Sequence, residues 1–287
     1  MSDTLLTEPL LQPAEDAYLP ELPPTQDELP YDDGIPMETW RHKCQMDFLI
    51  SVSQTWLQQR PDGFASGNMF LYYSLEQSRK QDFRGPDYFV VLGVPKGERK
   101  SWVIWEQGKG PDVVIELLSA STAQYDKTVK KQIYEQVVRV PEYFWFDPFT
   151  PEDWAGFRLV GNHYVPIEED EQGQLKSEAL GLYLVKWTGV FRGIEATWIR
   201  WATEAGELVP TEAEQAQQQA EEERQRADQE RQRADQERQR AEQERQRADQ
   251  ERQRAEQERQ RAEQERQRAE RLAEKLRELG VDPGTLS

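Results

Sequence analysis

From residue 37 to 59 apolar side chains return every fourth position, at Trp40, Cys44, Phe48, Val52 and Trp56, with Leu49 widening the same face. That period predicts a helix over 37–59, closed by the turn chemistry of Pro61-Asp62-Gly63. The pattern then changes. An aromatic-rich stretch, NMFLYYS at 68–74, precedes two short apolar runs, DYFVVL at 87–92 and VVIELL at 113–118, each entered through Gly-Pro-Asp. Continuous apolar runs of this length predict buried strands, and 102–105 reads as another short one. A second helix is expected over 121–138, with Ser121 or Thr122 as cap and Val129, Ile133 and Val137 as its apolar stripe. Beyond it, 143–146 returns as a buried strand ended by Asp147-Pro148, and 157–160, 163–167, 182–187 and 197–201 read as smaller strands. The expectation is an α/β core with a β-rich extension, long enough at roughly 170 residues to bury a core of its own.

The last quarter follows a different rule. Alanine recurs at 220, 227, 234, 241, 248, 255, 262 and 269, a strict period of seven. A coiled-coil seam needs two apolar positions per heptad, and here there is one. Acid-to-arginine pairs three apart (Asp235–Arg238, Glu237–Arg240) and arginine-to-acid pairs four apart (Arg238–Glu242, Arg240–Glu244) contribute about 0.2–0.5 kcal/mol each. Together they support a charged, solvent-exposed helix over 211–280, either single or weakly coiled. Only Ala269, Leu272, Leu276 and Leu279 make a short apolar seam through which copies of the chain would associate.

Composition changes this picture at one point, the charge. The net charge is −18. The first 40 residues carry ten acids and no Lys or Arg, and the tail from Thr211 carries 21 acids and 17 bases. Removing these contributions of −10 and −4 leaves about −4 for 41–210, so the acidity does not exclude a nucleic-acid partner for the folded part. The acidic residues 1–36 also hold seven prolines and no sustained period, and read as a disordered or loosely draped arm. One cysteine, Cys44, excludes a disulfide framework and a cysteine zinc site. No apolar run approaches a membrane span, and the start MSDTLLTEPLLQPAED lacks the plan of a signal peptide, so a cytoplasmic location is expected.

Candidate chemistry rests on few residues. Asp87 begins one buried run and Glu116 lies near the end of another. If these strands are antiparallel neighbours, the two carboxylates meet at one edge of the sheet, and such a pair suits a hard cation such as Mg²⁺ or Mn²⁺. A glutamate inside Val-Val-Ile-Glu-Leu-Leu calls for a partner or a metal. Asp112 lies four residues earlier, about 13 Å along the strand, so one metal cannot bind both; a turn or strand-entry role competes there with a site role. Lys127, Lys130, Lys131 and Tyr134 form a polar stripe on the second helix, either an ordinary solvated face or the source of a lysine aimed at the site. RKQDFR at 79–84 and KGERK at 96–100 are candidate phosphate contacts. His42 and His163 build no site, and no glycine-rich phosphate loop is present.

The runs GPDYFVV (85–91) and GPDVVIELLSASTAQYDKTVKKQIYEQVVRVPEYFWFDP (110–148) resemble the Uma2 family, also called DUF820, of restriction-endonuclease-like proteins. The pattern S-x-S-T, D-x3-K-x3-Y and V-x-E-Y-x-x-x-D-P carries the resemblance, which is expected over 37–205. It implies the PD-(D/E)XK nuclease fold: an α/β core whose mixed sheet is flanked by helices. It further implies Asp87 and Glu116 as metal-binding acids, and DNA as substrate. The lysine of the E-x-K pattern would fall at Leu118; spacing from Asp126 and Tyr134 transfers that role to Lys130. Glu38 would match an additional helix glutamate of this nuclease class. The leading expectation is a Mg²⁺-dependent endonuclease. Its competitors are a catalytically silent nuclease fold serving as a binding or assembly module, and a purely structural anchor for the helix.

Overall fold

The computed structural model describes residues 22–31, 39–79 and 85–278, and the chain divides into two units, Met1–Ala216 and Gln217–Ser287. In the first unit α1 spans Trp40–Gln58, with Thr39 as its cap accepting from His42 N. Strands β1 (Phe64–Ser66), β2 (Leu71–Tyr72), β3 (Tyr88–Val91), β4 (Trp102–Val103) and β5 (Val113–Leu117) follow, with short helices α2 (Leu75–Arg79) and α3 (Ile104–Gln107) between them. Helix α4 covers 123–138. Next come β6 (Glu142–Phe146), β7 (Trp154–Val160), β8 (His163–Ile167), β9 (Leu175–Ser177), β10 (Leu182–Phe191) and β11 (Ile194–Ala202).

The main sheet has six strands in the order β1-β3-β5-β6-β7-β8, mixed because β5 and β6 run parallel while the other neighbours are antiparallel. β9, β10 and β11 form a separate antiparallel sheet, and β2 pairs with β4. Both faces of the main sheet are covered, which explains why β3 and β5 read as unbroken apolar runs. Tyr88, Val90, Val113 and Ile115 enter a core with Phe48, Leu49 and Val52 of α1 and Trp198 and Trp201 of β11. Phe89, Val91 and Val114 face the other way, into a core with Trp102, Tyr134, Tyr143 and Tyr164. The α1 stripe is buried at Cys44, Phe48 and Val52, but Trp40 is 57% exposed. A four-residue step overshoots a 3.6-residue turn by about 40°, so the far end of such a stripe rotates out of the interface.

Helix α4 departs from expectation more sharply. Val129 and Val137 are 41% and 56% exposed, while Asp126 and Tyr134 are buried. The reason is backbone geometry. Two π-helical segments, Asp126–Lys130 and Tyr134–Val138, lie within it, and Lys131 N and Arg139 N donate to Asp126 O and Tyr134 O, five residues back. Wider turns keep residues four apart nearer one line, so Asp126, Lys130 and Tyr134 share the inward face. Thr122 caps without a side-chain bond into the helix; Ser119 Oγ instead accepts from Thr122 N at 3.1 Å.

Within the expected acidic arm, the segment 22–31 lies against the domain. Leu29 is buried with Phe70, Tyr72 and Val103, Trp105 Nε1 donates to Pro24 O at 2.8 Å and Tyr72 Oη to Pro30 O at 2.6 Å. The rest of the arm lies outside the described residues.

The final helix, α5, runs over Glu212–Glu278, 67 residues with none buried. A capping box starts it: Thr211 N donates to Glu214 Oε2 at 2.7 Å and Glu214 N to Thr211 Oγ1 at 3.1 Å. Buried Arg200 reinforces that start, reaching Glu214 Oε2 at 2.8 Å and Val209 O at 2.7 Å. Among the described residues no helix is long and apolar enough to cross a membrane.

Candidate active site

The register of β3 against β5 builds the site. Tyr88 lies opposite Ile115, so the preceding Asp87 comes beside Glu116, both on the sheet face that α4 covers. Asp87 N approaches Glu116 Oε2 at 3.4 Å, and Asp87 Oδ2 accepts from Leu117 N at 2.7 Å. Glu116 is fully buried, as its place in an apolar strand requires, and both of its oxygens are engaged. Tyr134 Oη donates to Oε1 at 2.9 Å and Lys130 Nζ to Oε2 at 2.9 Å. The inward face of α4 thus supplies a cation and a hydroxyl to one carboxylate.

A residue absent from the sequence-level candidates completes the group. Asp126 is buried, and its Oδ1 lies 2.9 Å from Lys130 Nζ in an ion pair, though without the direction of a hydrogen bond. The D-x3-K spacing was its signal, since residues four apart share a face even in a helix of ordinary pitch, which sets Asp126 beside Lys130. Two carboxylates, Glu116 and Asp126, therefore pair with one ammonium, and a third, Asp87, lies beside Glu116. Burial pushes the Glu116 carboxyl up to about 8, with Lys130 opposing the shift and Asp87 and Asp126 adding to it. Burial also raises Asp87, again against Lys130. For Lys130, burial disfavours the charge, but Glu116, Asp87 and Asp126 together outweigh it and hold the ammonium charged.

With every acid ionised this cluster carries −2, an excess that adds to the larger effect of burial in raising the carboxyl affinities for protons. A divalent cation would relieve that excess, and Asp87 and Glu116 offer the oxygen pair that Mg²⁺ or Mn²⁺ accepts along with waters. The residues present fit such an ion. Among the described residues no group of three or more His, Cys, Asp or Glu side chains is placed to hold a metal, so the fit rests on the pair.

The other candidates lie elsewhere. Asp112 is not brought to the pair: its Oδ2 accepts from Leu92 N at 2.7 Å and pairs with Lys109 at 2.8 Å, a strand-entry role. Glu38 and residues 80–84 of the RKQDFR run lie outside the described residues. In the KGERK run, Lys96 donates to Leu57 O at 2.8 Å, Arg99 lies over Phe64 and Trp102, and Lys100 pairs with Asp27 at 2.8 Å, so each cation has a partner within the chain. Lys127 pairs with Asp153 and Lys131 lies over the Phe157 ring, so the lysines of the polar stripe serve different ends. His42 is buried, with Nε2 2.9 Å from Leu118 O and Nδ1 2.7 Å from Thr39 Oγ1.

With this geometry in place, the comparison with known families decides the lineage. The sequence model described as "Uma2: Putative restriction endonuclease" matches residues 16–186. The chain belongs to the Uma2 family. The match begins inside the acidic arm and stops within β10, and so starts and ends earlier than the 37–205 span expected from the motifs. Among solved structures, the chain is similar to "a putative nuclease belonging to DUF820 from Anabaena variabilis ATCC 29413", at 17% identity and a TM-score of 0.39, covering 55% of this chain and 91% of that one. No curated protein matches it. Membership of Uma2 places the chain among restriction-endonuclease-like nucleases, and the β3–β5–α4 cluster lies inside the matched region.

Proposed function

We propose that this Uma2 protein is a Mg²⁺- or Mn²⁺-dependent endonuclease that hydrolyses DNA phosphodiester bonds, with Asp87 and Glu116 holding the metal and Lys130 acting beside it. The observation that carries this reading is the fully buried Glu116 carboxylate, held between Asp87 and Lys130. A bound dication would draw negative charge from the scissile phosphate and make water a better nucleophile at neutral pH.

The chain's own groups do the rest. Lys130 stays protonated, so it cannot serve as a base; its ammonium orients the attacking water and faces the charge that develops on the phosphate oxygens. Tyr134 fixes one oxygen of Glu116, which limits rotation of the carboxylate. Asp126 holds the Lys130 ammonium from its other side. The competing reading, a silent nuclease fold with the repeat helix as spacer or oligomerisation arm, draws on the same contacts, because Lys130 is already shared between two carboxylates.

Cleavage of supercoiled plasmid separates the two. The intact chain is expected to nick or linearise plasmid in Mg²⁺ or Mn²⁺ and to leave it untouched in EDTA. Lys130→Ala should cut about 10²–10³-fold more slowly, with an unchanged near-ultraviolet circular dichroism spectrum. No cleavage in either metal would favour the silent module, and equal rates for the variant would remove Lys130 from the chemistry.

A further inference from the structure

Beyond the carboxylate pair, β5 ends at a cavity of about 660 Å³, as bounded by the described residues, lined by Thr39, His42, Ser119, Ser121, Phe149 and Thr150 among others. Its size falls within the usual range for small-molecule sites. Ser119 follows Glu116 by three residues, so its Cα lies within about 11 Å of that of Glu116 even with the chain fully extended. A group in the cavity therefore sits within a few nucleotides of a phosphate held at Asp87 and Glu116.

The walls have a definite chemistry. Phe149 is 55% exposed although it is a large apolar ring. The loop beneath it is pinned rather than loose: Asp147 Oδ1 accepts from Phe149 N at 2.7 Å and Thr150 N at 3.1 Å. The Arg41 guanidinium lies 4.5 Å from the Phe149 centroid, and the His42 ring is 5.8 Å away at a 47° tilt. The lining also carries a set of hydroxyls. Ser119 Oγ is 3.1 Å from Ser121 Oγ and 2.9 Å from Thr122 Oγ1, and Thr150 adds another. Hydroxyls rotate to donate or accept, so this wall can turn donors towards a phosphate or the edge of a base. Among the described residues Asp147 is the one acid lining the cavity, and its Oδ1 is occupied by the two backbone N–H groups.

The geometry points to a nucleotide subsite: the cavity takes one unpaired nucleotide of the substrate strand, its base stacked on Phe149 and its polar groups met by Ser119, Ser121 and Thr150. Stacking on an aromatic ring tolerates any base, because every base has a π-face. An unpaired base pays no cost of leaving a duplex, so the subsite favours single-stranded or frayed DNA over intact duplex. The inference rests on the nuclease reading for its substrate, but its test does not depend on cleavage.

The test uses the full chain in EDTA, where the metal-dependent reaction is off. Binding of a fluorescein-labelled thymidylate hexamer would be followed by anisotropy for wild type, Phe149→Ala and Phe149→Tyr. Loss of one stacked base should weaken binding by about 10- to 100-fold in Phe149→Ala, while Phe149→Tyr, which keeps the ring, stays near wild type. The same hexamer carrying one 5-iododeoxyuridine, irradiated on the wild type, should crosslink to Phe149, as read by mass spectrometry of the peptides. Wild-type affinity in Phe149→Ala, a crosslink confined to other segments, or no binding by the wild type would each overturn the subsite. Since Phe149 is largely exposed, Phe149→Ala should retain the fold, and its circular dichroism checks this. Plasmid cleavage by the wild type in Mn²⁺ reports separately on the nuclease reading: stacking without cleavage keeps the subsite and removes the nuclease, and cleavage without stacking does the reverse.

Discussion

Glu116→Gln is expected to reduce plasmid cleavage by roughly 10³-fold or more, since metal charge stabilisation amounts to several kcal/mol and each 1.36 kcal/mol is tenfold in rate. Glutamine keeps the shape and an acceptor for the Tyr134 hydroxyl, so the fold should persist while the charge that holds the dication is lost. The same variant should alter stability in a way that a contact in the wrong place would not. The folded-state pKa of Glu116 is raised from 4.5 to about 8, so the folded protein keeps a proton that the unfolded chain releases in that window. Stability of the metal-free protein therefore falls as pH rises from about 4.5 to about 8. Lys130 is raised from 10.5 and stays charged throughout that window, so it adds no slope there. The substituted amide cannot titrate, and the variant's melting temperature should decline less between pH 5 and pH 8.5 than that of the wild type. Asp87, also raised, leaves a residual slope. Parallel declines in the two proteins would show that Glu116 is not the buried acid described.

The second large effect concerns the scaffold. Glu142 is buried at the start of β6, where its Oε1 accepts from Glu178 N at 2.8 Å, Ala179 N at 3.3 Å and Arg158 Nε at 3.3 Å. Its other oxygen accepts from Ser177 Oγ. One carboxylate thus joins the main sheet to the end of β9 and the turn that leads into β10. Alanine would leave a guanidinium, a hydroxyl and two backbone N–H groups short of a partner, a loss of about 3–5 kcal/mol for a broken buried pair. In a domain of this size that corresponds to a melting temperature lower by roughly 6–20 °C. Near-ultraviolet circular dichroism follows this unit alone, because all nine tryptophans lie at or before Trp201. A melting temperature within 2 °C of wild type would contradict the role assigned to Glu142.

Much of this was legible in the residues. The apolar runs at 87–92 and 113–118 gave strands whose antiparallel pairing brings Asp87 beside Glu116, and a glutamate inside such a run asks for a partner. The seven-residue alanine period gave the long helix. Other features had no local signal. β1 and β9 are three residues each, too short for alternation to register, and at 102–105 only Trp102–Val103 is strand before α3 begins. The inward face of α4 escaped because a 3.6-residue wheel sets Val129 and Val137 towards the core, whereas the π-helical turns give that place to Asp126, Lys130 and Tyr134. Asp126 did have a signal, its place four residues before Lys130 on one helix face, and was passed over as a site residue. The capping box at Thr211 and Glu214 was not among the expectations, although T-x-x-E before the alanine heptads carries its pattern.

The metal position tests the account most directly. Crystals grown with Mn²⁺ should show an anomalous difference peak about 2.0–2.3 Å from carboxylate oxygens of both Asp87 and Glu116, with Lys130 alongside. A peak bound elsewhere, or none at this pair at saturating Mn²⁺, would contradict the two-carboxylate site and the reaction built on it.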